Sequence, residues 1–170
     1  GSNAVDLSYQ SSTSSTRGAT GVRAVAMGLK TTASGTNSTA MGNLTTASGN
    51  QTTAMGFQST ASGDSSTAIG RSTTASGSYS TAMGQSTTAS GDNSTALGYY
   101  TLASGGYGAI AIGNQTTASG ANSTVMGEGG TASGAASTAM GRGTTASDYA
   151  SLVIGQYNSS GSSVTNNATS

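Results

Sequence analysis

Side chains able to perform acid–base or nucleophilic chemistry are few in this chain of 170 residues. It contains no His and no Cys, so it has no disulfide, no thiolate nucleophile, no imidazole base and no ordinary zinc or haem ligand set. Its glycine-rich stretches contain neither a Gly-Lys-Ser/Thr phosphate cradle nor a Gly-x-Ser-x-Gly nucleophile elbow. We therefore expect no enzymatic activity, no catalytic residue, and no cofactor or bound metal.

Charged side chains are equally scarce, with five acidic and five basic residues and a formal net charge of +0. The basic residues, Lys30, Arg17, Arg23, Arg71 and Arg142, are dispersed along the chain. They cannot release the counterions that drive nucleic-acid binding, and they form no polybasic stretch for an anionic membrane. Apolar runs are also far shorter than the roughly 20 residues of a spanning helix. The sequence predicts neither nucleic-acid binding nor direct membrane contact in this segment.

Residues with small side chains dominate the composition of the chain. Gly, Ala, Ser and Thr supply two thirds of the chain, whereas Ile, Leu, Val and Phe supply only about a tenth of it. A core built from large aliphatic side chains is therefore excluded. Charge and proline, which usually accompany disorder, are also missing, since the chain has no Pro. An ordered fold must here be packed from small side chains.

A 14-residue repeat organises the chain. One unit reads NL-TTASG-NQ-TTAMG from Asn43, and the next reads FQ-STASG-DS-STAIG. The spacing is broken once, by one extra residue near Gly106, which we interpret as a bulge or a wider turn. The large apolar residue before the second glycine of each unit falls at Met27, Met41, Met55, Ile69, Met83, Leu97, Ile112, Met126, Met140 and Ile154.

Each unit predicts two short strands, because blocks bounded by glycine and rich in Ser and Thr favour strands and turns. Side chains alternate along a strand, so Ala40 and Ala47 lie on one side of their strands and Met41 and Thr46 on the other. Only small residues fit between two sheets joined by two-residue turns, and we expect the glycines to serve those turns. The predicted interior of the roll includes Ala33, Ala40, Ala47, Ala54, Ala61, Ala68, Ala75, Ala82, Ala89 and Ala96.

The apolar residues of the repeat are then predicted to point outward in one row. At about 4.8 Å per coil, ten coils give a row nearly 50 Å long. A monomer rarely exposes so continuous an apolar strip, because burying each side chain stabilises by roughly 1.5 to 3 kcal/mol. We expect a cyclic homo-oligomer with this row on its axis, and three chains suit a narrow roll better than two.

The repeated units STAMG-x-x-TTASG-x-x resemble the head repeats of trimeric autotransporter adhesins, the YadA-like surface proteins of Gram-negative bacteria. Asn37, Asn93 and Asn122 match the Asn position of that family pattern, and Thr mostly stands at its Val position. The resemblance implies a left-handed parallel β-roll assembled as a homotrimer. It also implies adhesion to host cells or extracellular matrix proteins, and display on the bacterial surface through a C-terminal outer-membrane anchor absent from this chain.

Three segments are predicted from the limits of the repeat. Residues 1–21 form an N-terminal leader whose first two residues resemble a cloning remnant. Residues 22–157 form the head roll of about ten repeats, and residues 158–170 form an irregular connector. Asp148 stands where the repeat expects Gly, shortly before the pattern ends.

Two other functions remain open at this point. A row of threonines on the outer side of the second strand, interrupted at Leu102, is typical of ice-binding solenoids. A purely structural spacer in a larger surface fibre would need no binding residue at all. If the protein is an adhesin, the variable turns are the expected contact region, and Tyr99, Tyr100 and Tyr107 are the best local candidates because exposed Tyr offers a large contact area.

Overall fold

Residues 2–9 and 17–160 are described by the structure, a computed structural model, and they form a parallel β-solenoid of two sheets without any helix among them. The wide sheet contains β1 (Val5–Tyr9), β3 (Val25–Leu29), β5 (Thr39–Asn43), β7 (Thr53–Phe57), β9 (Thr67–Arg71), β11 (Thr81–Gln85), β13 (Thr95–Tyr99), β15 (Ile110–Asn114), β17 (Thr124–Glu128), β19 (Thr138–Arg142) and β21 (Leu152–Gln156). The narrow sheet contains β2 (Gly18–Ala19), β4 (Thr32–Ala33), β6 (Thr46–Ala47), β8 (Thr60–Ala61), β10 (Thr74–Ala75), β12 (Thr88–Ala89), β14 (Leu102–Ala103), β16 (Thr117–Ala118), β18 (Thr131–Ala132) and β20 (Thr145–Ala146). The predicted all-β solenoid with 14-residue coils is confirmed.

Equivalent residues of successive coils lie directly above one another. In the wide sheet Met41 pairs with Met55, and in the narrow sheet Thr46 pairs with Thr60. The single irregular spacing of the sequence leaves this register intact, because Leu97 still pairs with Ile112. The extra residue lies in the turn around Gly106, so the irregularity is a wider turn and not a bulge in a strand.

The interior of the roll is lined by four small side chains per coil. In one coil these are Ser38, Ala40, Thr45 and Ala47, all of which have no exposed surface. The ten alanines assigned to the interior from the sequence are likewise fully buried. Rows of buried Ser and Thr side chains lie beside these alanines, and the sequence prediction of the interior did not include them. Some of these hydroxyls donate to nearby carbonyls, as Ser38 Oγ does to the Gly35 carbonyl at 2.7 Å.

One coil replaces two of these small residues by a complementary pair. Val125 occupies an alanine position in the wide sheet, and Gly130 occupies the Ser/Thr position opposite. A Cβ atom added at Gly130 would lie 2.9 Å from Cγ2 of Val125. The larger side chain therefore fills the space that the missing one leaves, and the interior volume is conserved.

One row of glycines lies within the wide strands, which corrects the expectation that glycines serve the turns. Gly42 belongs to β5 and has a φ of 122°, a conformation that favours glycine. A Cβ atom at this position would lie 2.1 Å from the carbonyl oxygen of Gly56 in the next coil. The row is therefore required because the backbones of neighbouring coils approach each other closely.

Each two-residue turn between described strands has a left-handed second residue, and most of these residues are not glycine. Leu44 has a φ of 58° and Gln51 a φ of 57°. The N–H of Gln51 donates to the carbonyl of Thr36 in the preceding coil at 2.8 Å. The N–H of Leu44 likewise donates to the carbonyl of Leu29. This inter-coil hydrogen bond offsets the cost of about 1 to 2 kcal/mol that the left-handed conformation carries.

The stacking begins before residue 22 and loses its regularity near Asp148. In the segment expected to be a leader, β1 pairs with β3 and β2 pairs with β4. At the other end, Ser159 still forms a bridge with Thr145. The Asp148 position belongs to a row in which a Cβ atom meets the backbone of the following coil, so a non-glycine residue suits only the last regular coil. The rest of the predicted leader and connector, residues 1, 10–16 and 161–170, lies outside the described residues.

Candidate functional site

The outer face of the wide sheet carries the predicted row of large apolar side chains, named here the apolar row. Its ten residues all occupy the third position of a wide strand and stack in register, as Met83 does on Leu97. They are half-buried or exposed in the single chain, and Met83 is 40% exposed and Ile154 57% exposed. Leu7 pairs with Met27 and extends the row by one coil. The sequence pattern missed Leu7 because its distance from Met27 breaks the repeat.

The outer face of the narrow sheet is a flat array of hydroxyl side chains. Thr46 and Thr60 stack directly on each other, and the row continues through Thr74 and Thr88 until Leu102 replaces threonine. These threonines are half-buried, and the serines two positions later, such as Ser48, are mostly exposed. The two outer faces therefore differ in chemistry, since one is apolar and the other polar.

Charges of opposite sign separate onto the two edges of the roll. The edge formed by the turns that follow the wide strands is named the basic edge because it carries Lys30, Arg71 and Arg142 with one acid, Glu128. The edge formed by the turns that follow the narrow strands is named the acidic edge because it carries Asp64, Asp92 and Asp148 with one base, Arg23. This separation was missed from the sequence, although the position of each charged residue within the repeat is a signal for it.

Side chains on the basic edge contact the coil before or after them. The Arg71 guanidinium carbon lies 5.8 Å from the centroid of the Phe57 ring, and that of Arg142 lies 5.7 Å from the Tyr157 ring. Arg142 also approaches Glu128, with Nε and Oε2 3.6 Å apart. Both groups of that ion pair are more than half exposed, so it contributes little to stability.

The acidic edge has its own ladder of hydrogen bonds. The Asn50 N–H donates to Asp64 Oδ1 at 2.9 Å, and the Ser78 N–H donates to Asp92 Oδ1 at 2.8 Å. Each carboxylate thereby accepts a backbone hydrogen bond from the coil before it. Asn or Asp at the first turn position is the sequence signal for this ladder, because the donor is the backbone N–H of the residue 14 positions earlier, as Thr36 N–H is to Asn50 Oδ1.

The three candidate receptor-contact tyrosines do not form one cluster. Tyr99 and Tyr100 lie together on the basic edge, with ring centroids 4.4 Å apart in an edge-to-face arrangement. Tyr107 lies on the acidic edge, where it forms a bridge with Asp92. All three side chains are exposed. The three tyrosines were grouped from the sequence because the repeat pattern alone does not show that the two kinds of turn lie on opposite edges of the roll.

Metal-ligating side chains do not cluster among the described residues. These residues contain no group of three or more His, Cys, Asp or Glu side chains close enough to hold a metal ion. The pKa of the Asp6 carboxyl is lowered from its usual value, because the Ser8 hydroxyl and N–H donate hydrogen bonds to it. A backbone hydrogen bond from Ala19 in β2 lowers this pKa as well. Among the described residues, no helix is long and apolar enough to cross a membrane.

Comparison with known proteins places the repeat in a family. A model described as the YadA head domain repeat (2 copies) matches residues 19–45, 47–73, 75–101, 104–128 and 132–158 in five consecutive stretches. A search of curated proteins found no match. The matched stretches cover well over half of the chain and coincide with the stacked coils. The family is one of surface-exposed adhesins, and this chain belongs to it as a set of YadA head domain repeats.

Proposed function

We propose that this chain is the head of a bacterial surface adhesin that works as a homotrimer and attaches to host cells or extracellular matrix proteins. The observation that supports the proposal is the apolar row, which stacks along the whole outer face of the wide sheet and has no covering element among the described residues. Membership of the YadA head family supports the same assembly and an adhesin-type role.

Burial of the apolar row is the driving force of the proposed trimer. Each of its side chains keeps part of its surface exposed in the single chain, so covering it stabilises by about 1 kcal/mol, less than for a fully exposed residue. The proposed axis is lined by Met27, Met41, Met55, Ile69, Met83, Leu97, Ile112, Met126, Met140 and Ile154. Three wide sheets facing one axis would cover this row in every coil.

Attachment is proposed to use the outer turns and not an enclosed site. Tyr100 and Tyr107 are 52% and 58% exposed and lie at turns on opposite edges of the roll. Exposed Tyr provides a large contact area with little loss of conformational entropy on binding. Tyr99 is the last residue of β13, beside the apolar row, so it adjoins the proposed boundary between chains.

Binding of the purified head to immobilised collagen, fibronectin and laminin tests the attachment. We expect saturable binding to at least one matrix protein or to cultured host cells. Replacing Tyr100 or Tyr107 by Ser should weaken that binding at least threefold while the mass and melting temperature of the trimer stay unchanged. If the wild type binds neither matrix proteins nor cells, the chain is a spacer that holds another part of the parent protein away from the surface.

Ice binding is the second candidate function, favoured by one observation. The outer face of the narrow sheet presents threonine side chains stacked in register, at about 4.8 Å from coil to coil. Regular flat arrays of this kind can order water. Thermal hysteresis measured in dilute solution separates the two functions, since an adhesin head should show none and an ice binder should show a concentration-dependent freezing-point gap.

A further inference from the structure

We infer that Asp64 of one chain forms an ion pair with Arg71 of the next chain, and that this pair joins the acidic edge to the basic edge at each boundary of the assembly. The inference rests on the proposed homotrimer, and it adds which edges meet and which residues hold them. The partner of the acidic edge is thus a second copy of this chain. The observation that motivates it is the separation of opposite charges onto the two edges.

Cyclic symmetry determines which edges can meet. When three wide sheets face a common axis, the end of each wide strand approaches the beginning of the wide strand in the neighbouring chain. The end of a wide strand lies at the basic edge, and its beginning follows the acidic edge. Every boundary in a parallel ring therefore joins one basic edge to one acidic edge.

The axial heights of the two residues also agree. Asp64 precedes Arg71 by seven residues, which is half a coil, so their heights along the roll differ by only about 2.4 Å. Rotation about an axis parallel to the roll preserves these heights. In addition, the Arg71 side chain leans over Phe57 in the preceding coil, and this moves its guanidinium toward the height of Asp64.

Among the described residues, neither Asp64 nor Arg71 has a partner of opposite charge within its own chain. Asp64 uses Oδ1 to accept from Asn50, while its Oδ2 makes no hydrogen bond to any described residue. Arg71 has no acidic partner within the described ranges, and its guanidinium lies over the Phe57 ring. Asp64 and Arg71 themselves lie at opposite ends of β9, roughly 15 Å or more apart. Any energetic coupling between them must therefore arise between chains.

Other side chains on the two edges fit the same contact, with one exception. Asp148 lies six residues after Arg142, again at nearly the same height on the opposite edge. Leu29, Phe57 and Tyr99 share the strand position of Arg71 and are 36–42% exposed in the single chain, so a neighbouring chain would cover apolar surface there. The exception is Arg23, which would lie close to Lys30 of the next chain.

A charge-swap experiment tests the ion pair. Asp64→Arg and Arg71→Asp should each lower the melting temperature of the trimer by about 2 to 4 °C, since each change places like charges together at three boundaries. The double variant Asp64→Arg/Arg71→Asp should recover the part of this loss that the like charges cause, although not the part that comes from losing the hydrogen bond between Asn50 N–H and Asp64. In 1 M NaCl, where the screening length is about 3 Å, the recovery should disappear.

Asp92 provides the matched control, because it occupies the same turn position as Asp64 and accepts the same type of backbone hydrogen bond. Asp92 lies two coils, or about 10 Å, further along the roll. Arg71→Asp should therefore not rescue Asp92→Arg. If the two changes in Asp64→Arg/Arg71→Asp are simply additive while light scattering still shows a trimer, the ion pair is wrong and the trimer stands. A monomeric wild type would overturn both.

Discussion

At the scale of single residues, the stability of this protein depends on the size of each side chain and on the face that carries it. An interior with four small side chains in a typical coil leaves no room for a larger group unless another group is removed. The outer faces tolerate size but differ in polarity. Substitutions in the interior should therefore destabilise the fold through their volume, and substitutions on the outer faces should act through their polarity. Two experiments can separate these effects.

The Val125 and Gly130 pair tests volume conservation in the interior. Gly130→Thr alone should destabilise the fold by about 1 to 3 kcal/mol, because the new Cβ would overlap Cγ2 of Val125. Combining it with Val125→Ala restores the composition of the other coils and should recover most of the loss. Urea unfolding of the single and double variants measures this coupling. Additive losses would show that the two positions do not share one space.

The two outer faces can be compared with a charge at Met83 and at Thr88. Met83→Asp should abolish or strongly weaken the trimer, because three carboxylates would meet at the axis without partners. Thr88→Asp lies on the outer face of the narrow sheet, where the carboxylate stays hydrated, and should change little. Melting temperature and solution mass check both variants. Equal effects of the two changes would mean that the faces are reversed.

At the scale of the elements, close approach between backbones decides where glycine is required. A Cβ atom added at Gly84 would lie 2.0 Å from the carbonyl oxygen of Gly98. The φ of Gly84, 123°, is also unfavourable for alanine. A Cβ atom added at Gly106, in the wider turn, would have no neighbouring atom within 4 Å. The two glycines are thus matched in type and opposite in environment.

Gly84→Ala should therefore destabilise the roll by about 3 kcal/mol, through steric overlap and backbone strain together. Gly106→Ala should change the free energy of unfolding by less than about 0.5 kcal/mol. Thermal or urea unfolding of the two variants makes the comparison directly. A Gly84→Ala variant as stable as the wild type would contradict the close stacking of the coils.

The elements were largely predictable from the repeat, but their boundaries and turns were not. The alternation in STAMG and TTASG predicts two strands per coil with Ala40 and Ala47 inside. It does not predict that β5 continues through Gly42 to Asn43, because this depends on the contact with the next coil. Nor does it predict left-handed turns at Leu44 or Tyr79, since hydrogen bonds between coils override the local preference of these residues.

At the scale of the whole molecule, the thin roll has four distinct surfaces. An apolar face, a hydroxyl face, a basic edge and an acidic edge run side by side along the solenoid. The sequence identifies the apolar row by its period alone. It did not reveal that Tyr107 lies on a different edge from Tyr99 and Tyr100, because that assignment requires knowing which turn follows which sheet.

The solution mass of the chain tests the central claim, that the apolar row is buried on the axis of a homotrimer. Multi-angle light scattering at micromolar concentration should give a single species of about three times the 16.2 kDa chain, because the row supplies apolar surface in every coil. A monodisperse species at the mass of one chain would contradict the claim, and with it the assignment of Met41, Met55 and the rest of the row to a shared axis.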